Sequence, residues 1–476
     1  MKVKFFSFLG TNNYNPAMYI YKDKNIEYKD EKKENFVQIS IYNIINKLLN
    51  CDQRFINEDD SKIDTYIFLT EKAKIKNYLG EALEGKKVDY EPMCYYKDKM
   101  NITPVNIYDG MTEDEIWKNF NIILDIIEPG DLIFTDITHS IRSLPIMFMS
   151  LLNFAKVSKN ISIGGIYYGA YEMGKSDIEG SVSEILNLVG FDTVTDWSSS
   201  VDMLLTKGGS KRFCFETKSL VKEIKRTEVS KSTSEFLRDV EQVQKTIDGF
   251  FTSLNFCDVK LACDKIKLLK QQTENIQKKY GNTLDESVEK IKPLMSLFME
   301  IESFIKDFKV LDCGSVKNTV TKTNGKLSIK DQYNVIYNVK VMVDLCMKFD
   351  LYQQAITFLD ENITSIITHE MGYGVFNPDE RKIANEYLYY LNFLNGRKSN
   401  PAKSNHLEEI KCFATNERKE KHSFLASFNC EMDDYRNSIN HANFNKNTHT
   451  VSENLNKIIK ISDTVKEYIE NILSIK

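Results

Sequence analysis

Residues Pro129 to Ala155 read PGDLIFTDITHSIRSLPIMFMSLLNFA, and the order of chemical types in this run decides the fold class. Pro129 and Gly130 stop the helix before them. An apolar, β-rich run from Leu132 to Ile137 follows and reads as a buried strand. It passes through a short polar loop, Asp136 to Arg142, into an apolar helix, Leu144 to Ala155. Strand, polar loop and helix in that order form half of a parallel crossover unit. The helix is interrupted by Ser150 and Asn153 and is well short of a membrane span.

The same alternation extends outward. Val3 to Leu9, Thr65 to Leu69 and Ile161 to Tyr168 read as further strands. Thr112 and Glu115 form a T-x-x-E capping box that opens a helix with Ile116, Phe120, Ile123, Leu124 and Ile127 on one face. Residues 1–208 therefore read as a doubly wound, Rossmann-like α/β domain. Of the 20 glycines 13, and of the 8 prolines 5, fall within the first 209 residues, so the rest of the chain is poorer in turns. Thr206 to Arg212 collects two glycines and three cations and marks the junction.

Residues 209–476 read as all-α. Glu235 to Phe256 and Leu261 to Tyr280 have helical periodicity. A second capping box, Thr450 and Glu453, opens a last helix carrying Leu455, Ile458, Ile459, Val465, Ile469 and Ile472. Gly314 to Lys330 is a polar interruption, either a loop or a small hairpin.

A chain of 476 residues exceeds one ordinary core and favours two or three domains. Its nine cysteines include no C-x-x-C pair, which argues against a zinc knuckle or a disulfide framework and for a reducing cytoplasm. The apolar opening MKVKFFSFLG stops at Thr11, Asn12 and Asn13, before signal-peptide length, so a soluble protein with no membrane partner is expected. A net charge of −5 argues against a protein that coats nucleic acid, and any RNA contact must come from a local patch.

In a doubly wound sheet, ligands bind beyond the carboxyl ends of the strands where strand order reverses. Two polar loops follow strands here. Gly10-Thr11-Asn12-Asn13 combines a glycine that permits close backbone approach with hydroxyl and amide groups suited to phosphate, sugar or base edges. Asp136, Thr138, His139, Ser140 and Arg142 form the second. Asp136, Thr138 and Ser140 are equally the types that turns and N-caps favour, and an isolated His139 reads as a capping or surface group. Tyr167-Tyr168-Gly169-Ala170, after another strand, reads as a third loop that could complete the wall, although by itself it signals little more than a turn.

D-I-T-H-S at 136–140, with L-G-T-N-N-Y at 9–14 and I-Y-Y-G-A at 166–170, resembles the CRISPR-associated Rossmann-fold (CARF) sensors of the DxTHG family. The resemblance implies a dimer that binds a ring-shaped oligoadenylate of four or six units across its two-fold axis. It implies that Gly10, Thr11, Asn12, Asp136, Thr138, His139 and Ser140 line the pocket. Ser140 stands where the family usually has glycine.

Near the end of the chain, Arg436 and His441 form an R-x4-H pair, with Asn437 after the arginine. Metal-free RNA cleavage needs a base for the 2′-hydroxyl, an acid for the leaving oxygen and positive charge on the phosphorane-like transition state. Histidine and arginine suit those roles. On an ideal helix a five-residue step turns roughly 140° past a full circle, so this pair does not share a face, whereas Asn437 and His441 do. A solvated helix surface is the bland alternative. R-N-x-x-x-H resembles the motif of HEPN ribonucleases, which are helical, dimeric and metal-independent. That resemblance implies Arg436 as phosphate clamp, His441 as acid or base and Asn437 in support. It also implies a single-stranded RNA substrate, no cofactor for catalysis, and a homodimer or higher oligomer. A DNA substrate lacks the attacking 2′-hydroxyl.

His369-Glu370, His406, His422 and His449 lack metal-ligand spacing and read as surface or interhelical residues. The charged stretch Lys265 to Lys279 reads as a solvated face or part of an RNA path. Two other functions fit the same residues. One is a ligand-binding regulator without catalysis, and the other is a ring nuclease that degrades the oligoadenylate in the sensor half.

Overall fold

A computed structural model of the chain describes residues 2–23, 26–51, 62–139, 143–170, 182–225, 230–280, 292–311, 329–400, 404–440 and 451–474. The chain divides into two compact units, one formed by 1–196 with 219–229 and the other by 197–218 with 230–476.

The first unit is built on one eight-stranded sheet. In chain order its strands are β1 (Val3–Leu9), β2 (Met18–Lys22), β3 (Glu27–Lys29), β4 (Ile63–Leu69), β5 (Ile102–Asn106), β6 (Leu132–Asp136), β7 (Ser162–Gly169) and β8 (Val182–Asn187). Their spatial order is β3-β2-β8-β7-β6-β1-β4-β5. The run β7-β6-β1-β4-β5 is parallel throughout. After β1 the chain forms β2 and β3 at the far edge, then builds outward from β1 through β4 to β5 and returns to the other side of β1 for β6 and β7. The reversal of strand order therefore lies between β1 and β6, where a doubly wound sheet opens its ligand crevice.

Every residue of β1 is buried, as expected of a central strand covered on both faces. Val3, Phe5 and Leu9 join a core with the helix Val37–Cys51, while Phe6 and Phe8 join Phe148, Leu151 and Leu152 of the helix Ser143–Ser158 on the opposite face. Lys4 is also buried, and its ammonium pairs with Asp131 at 2.7 Å and donates to the Ile126 carbonyl at 2.7 Å. Thr112 caps the helix Glu113–Ile126: its hydroxyl accepts from Glu115 N at 3.3 Å, while Glu115 Oε2 reaches one residue past the cap and accepts from Met111 N at 2.9 Å.

The strands beyond the four expected ones are β2, β3, β5 and β8. β5 lies at an edge of the sheet and carries Pro104, a residue tolerated there because an edge strand has an unpaired side. β2 and β3 form an antiparallel pair at the other edge.

All described regular elements of the second unit are helices. Lys231–Asn255 and Val259–Tyr280 cover the two expected segments. In the last helix, Val451–Ser474, Ile458, Val465 and Ile469 are buried but Ile459 is exposed. Thr450 lies outside the described residues, as do 314–328 of the interruption, and Ile329 already begins the helix Ile329–Lys348.

Candidate functional site

At the strand-order reversal, β1 and β6 run in register, with Ser7 opposite Asp136. The Ser7 hydroxyl donates to Asp136 Oδ2 at 2.7 Å. Asp136 Oδ1 accepts from Thr138 N at 2.9 Å and from the Thr138 hydroxyl at 2.5 Å. Thr138 Oγ1 in turn accepts from Gly169 N at 2.8 Å. One hydrogen-bonded chain thus ties the ends of β1, β6 and β7 together. Asp136 is fully buried and both its oxygens are engaged, so it shapes the loop from beneath, whereas Thr138 and His139 are half-exposed above it.

Burial pushes the Asp136 carboxyl above its ordinary value, opposed by the His139 charge and by the bonds from Thr138 and Ser7. Burial pushes the His139 imidazole below its ordinary value, opposed by the Asp136 charge. The His139 ring packs edge-on against Tyr14 with centroids 4.6 Å apart.

Tyr14 also fixes the first loop, since its hydroxyl accepts from Gly10 N at 2.9 Å. Asn77 Nδ2 donates to the carbonyls of Gly10 at 2.7 Å and Asn12 at 2.9 Å, and Lys76 donates to that of Thr11 at 2.8 Å. Tyr90 closes this support by donating to Asn77 Oδ1 at 2.7 Å. The side chains of Thr11, Asn12 and Asn13 remain exposed on this held backbone. A Cβ added at Gly10 would lie 3.5 Å from the Tyr14 hydroxyl, an ordinary contact, so the fold itself does not demand glycine there. Gly169 differs, because a Cβ would approach Val37 Cγ2 to 2.6 Å. Tyr168 beside it is exposed. Ser140 and Arg142 lie outside the described residues.

The sequence reading missed Ser7, Tyr14, Asn77 and Tyr90 as supports. A signal existed for Ser7, the one small polar residue inside the apolar run VKFFSFL. None existed for Asn77 or Tyr90, which reach the loop only through tertiary packing.

In the second unit, Arg436 lies near the end of the helix Asn416–Asn440, and its Nη1 pairs with Asp360 Oδ2 at 2.8 Å. Asp360 is buried on the helix Tyr352–Glu370, and its Oδ1 accepts from Asn429 Nδ2 at 2.9 Å. His441 lies outside the described residues, and so does the side chain of Asn437.

Two of the remaining histidines are interhelical. His422 is fully buried between the Tyr387 hydroxyl at 2.9 Å and Glu370 Oε2 at 2.6 Å. Glu370 Oε1 also accepts from Tyr468 at 2.7 Å and Lys421 at 3.0 Å. Burial alone would raise the Glu370 carboxyl, but its bonds to His422, Tyr468 and Lys421 win and hold it down at about 2. His369 Nδ1 lies 3.3 Å from Gln332 Oε1. His406 is exposed, and His449 lies outside the described residues. Among the described residues, no group of three or more His, Cys, Asp or Glu side chains is arranged to hold a metal ion, and no helix is long and apolar enough to cross a membrane.

No family model matches the chain. Part of it is similar to CRISPR-associated protein MJ1674 of Methanocaldococcus jannaschii, at 30% identity over 147 residues. The match covers 29% of this chain and 23% of that relative, so the likeness spans less than a quarter of the relative's length.

Proposed function

We propose that the chain acts in CRISPR defence as a ribonuclease switched on by a cyclic oligoadenylate. The observation that carries this reading is the bonded chain from Ser7 through Asp136 and Thr138 to Gly169 at the strand-order reversal. It fixes the loop of Thr138 and His139, while Tyr14, Asn77 and Lys76 hold the backbone of Gly10, Thr11 and Asn12, and in this reading Gly10, Thr11, Asn12, Asn13, Thr138 and His139 offer amide, hydroxyl and imidazole groups to a phosphate, sugar or adenine edge. The partial likeness to a CRISPR-associated protein supports the biological setting.

In this reading the ring has four or six adenylates, and Ser140, Arg142 and Tyr168 complete its wall. Ring binding favours one arrangement of a homodimer over another, which requires a difference in affinity between the two. One R-x4-H motif per chain makes the dimer a requirement, because two motifs build one cleft. His441 moves the proton as acid or base, Arg436 binds the scissile phosphate and Asn437 supports them. Single-stranded RNA is cut by its own 2′-hydroxyl, leaving a cyclic phosphate and a 5′-hydroxyl, with no metal required.

The test is cleavage of a fluorescent single-stranded RNA in EDTA, with each ring and without ligand. Cutting with one ring alone, abolished by His441→Ala in a folded dimer, is the expected result. Silence with both rings despite measurable ring binding overturns the ribonuclease and favours the regulator or the ring nuclease.

A further inference from the structure

Within the second unit the helices Lys231–Asn255 and Val259–Tyr280 run antiparallel, with Asp239 beside Tyr280 at one end and Gly249 beneath the Lys265 side chain further along. Asp239 and Gln242, three residues apart, stand on one face of the first helix. Gln272, Asn275 and Ile276 follow each other at helical spacing on the second. These residues, with Lys278 and Lys279, line a cavity of about 490 Å³. That is within the roughly 300–1,000 Å³ of small-molecule sites.

The chemistry of the lining is not that of a packing defect. Of the described lining residues only Ile276 is apolar, and the others are amides or charged groups, so what fits here is a hydrophilic molecule. Lys279 is engaged at this wall, 3.1 Å from Glu235 and 3.6 Å from Asp239 Oδ2. The Tyr280 hydroxyl donates to the same Oδ2 at 2.8 Å. Asp239 Oδ1 is thereby left as an acceptor, on a carboxylate that is 27% exposed. The side chains of Gln242, Asn275 and Lys278 have no hydrogen-bond or ionic partner among the described residues. Gln272 Oε1 is shielded from solvent and receives no donor.

A primary amide offers a donor and an acceptor side by side, the pattern that matches an adenine edge. A carboxylate oxygen accepts from a ribose hydroxyl, and an ammonium attracts phosphate. We propose that this cavity is a ribonucleotide site, in which the amides of Gln242, Gln272 and Asn275 read the base, Asp239 Oδ1 accepts from the ribose 2′-hydroxyl and Lys278 holds the phosphate. A free nucleotide and one unit of an RNA strand present this same chemistry. The site lies wholly in the second unit and depends neither on ring activation nor on Arg436 and His441.

Gln272 separates binding from folding. An orphaned buried acceptor destabilises the empty fold, so Gln272→Met, of similar length, should unfold at the wild-type temperature or above while binding more weakly. A glutamine kept for structure alone would lose stability on the same change. Asn275 is exposed, and Asn275→Leu keeps the test available whatever Gln272→Met does to folding.

The experiment titrates the full-length chain with adenosine 5′-monophosphate, its 2′-deoxy counterpart and a short single-stranded RNA. The ribonucleotide should bind roughly 3- to 10-fold more tightly than the deoxynucleotide, and Gln272→Met, Asn275→Leu and Lys278→Gln should each weaken it by a similar factor. Competition between the nucleotide and the RNA identifies a strand unit as the occupant. Nucleotide binding that RNA does not displace identifies the free nucleotide. Wild-type affinity in both Gln272→Met and Asn275→Leu overturns the site, as does a wild-type chain that binds none of the three probes. Equal affinity for the deoxynucleotide overturns the ribose contact at Asp239 and with it the assignment to ribonucleotides. A chain that binds at this cavity but cuts no RNA counts against the ribonuclease reading alone.

Discussion

The Ser7 hydroxyl and the Asp136 carboxylate, 129 residues apart in the chain, meet at 2.7 Å inside the sheet. Both are fully buried. The pair bridges β1 and β6, the two strands between which the order reverses, and so links the bases of the two loops read as ligand-binding. Replacing Ser7 by alanine leaves a buried carboxylate short of one donor, a loss of about 1–3 kcal/mol. Ser7→Ala should lower the unfolding midpoint and weaken ring binding, although Ser7 itself is inaccessible to a ligand. Calorimetric ring titration of the folded variant checks this, and unchanged affinity would show that the loop geometry does not depend on the bridge.

Gly10 and Gly169 separate binding from folding. At Gly10 an added methyl meets only ordinary contact, so Gly10→Ala should unfold within about 0.5 kcal/mol of wild type. On the proposed reading ring affinity should nevertheless fall, because the methyl would stand where that ligand approaches the backbone. At Gly169 the methyl would press on Val37, and overpacking of this kind costs about 1–3 kcal/mol. Val37→Ala should restore part of that loss. Denaturant titrations of the single and double variants test both expectations, and a Gly169→Ala loss that Val37→Ala leaves untouched would refute the assigned contact.

How much of this was legible follows from the kind of force involved. The central strands β1 and β6 are apolar enough to be read from local pattern, and the Thr112 box from spacing alone. β2, β3 and β8 are only five, three and six residues long, too short to carry a clear period, and β2 pairs with β8 although Met18 and Val182 lie far apart in the chain. Asp136 was legible as the start of a polar loop at a strand end, but its burial beneath that loop was not, because that depends on Ser7 from another strand. The H-x6-N-x6-R stripe of His422, Asn429 and Arg436 was readable as a heptad. Without the positions of Asp360 and Glu370 it looks like a solvated face.

His139 should make the first unit sensitive to mild acid. Its folded value is lowered mainly by burial, so the unfolded chain binds a proton more readily than the folded one below about 6.5. Stability is then complete above the unfolded value and is lost as pH falls through it. His139→Phe keeps a ring against Tyr14 and removes this proton. Without His139, the raised Asp136 carboxyl tends to favour the folded state at lower pH, so the two slopes have opposite sign. Thermal melts between pH 7 and 5 should show wild type losing more stability than His139→Phe, and parallel curves would count against the lowered imidazole.

Glu370 predicts a second, more acidic transition in the helical unit. Its carboxyl is held at about 2, against an ordinary 4.5, by His422, Tyr468 and Lys421 acting over the opposing effect of burial. A depressed carboxylate contributes stability that is present above the unfolded value and lost as pH falls through the folded one. The window is therefore roughly pH 4.5 to 2, and the contribution is on the order of 3 kcal/mol. Glu370→Gln should be less stable than wild type at pH 7, because His422 loses its charged acceptor inside the protein. The difference should shrink as pH falls through that window, since the wild-type carboxylate becomes neutral too. Other carboxylates titrate over the same range in both proteins, so the difference between the two stability curves is the quantity to measure. A difference that stays constant from pH 5 to 2 would mean that Glu370 is not held in its charged form by this cluster.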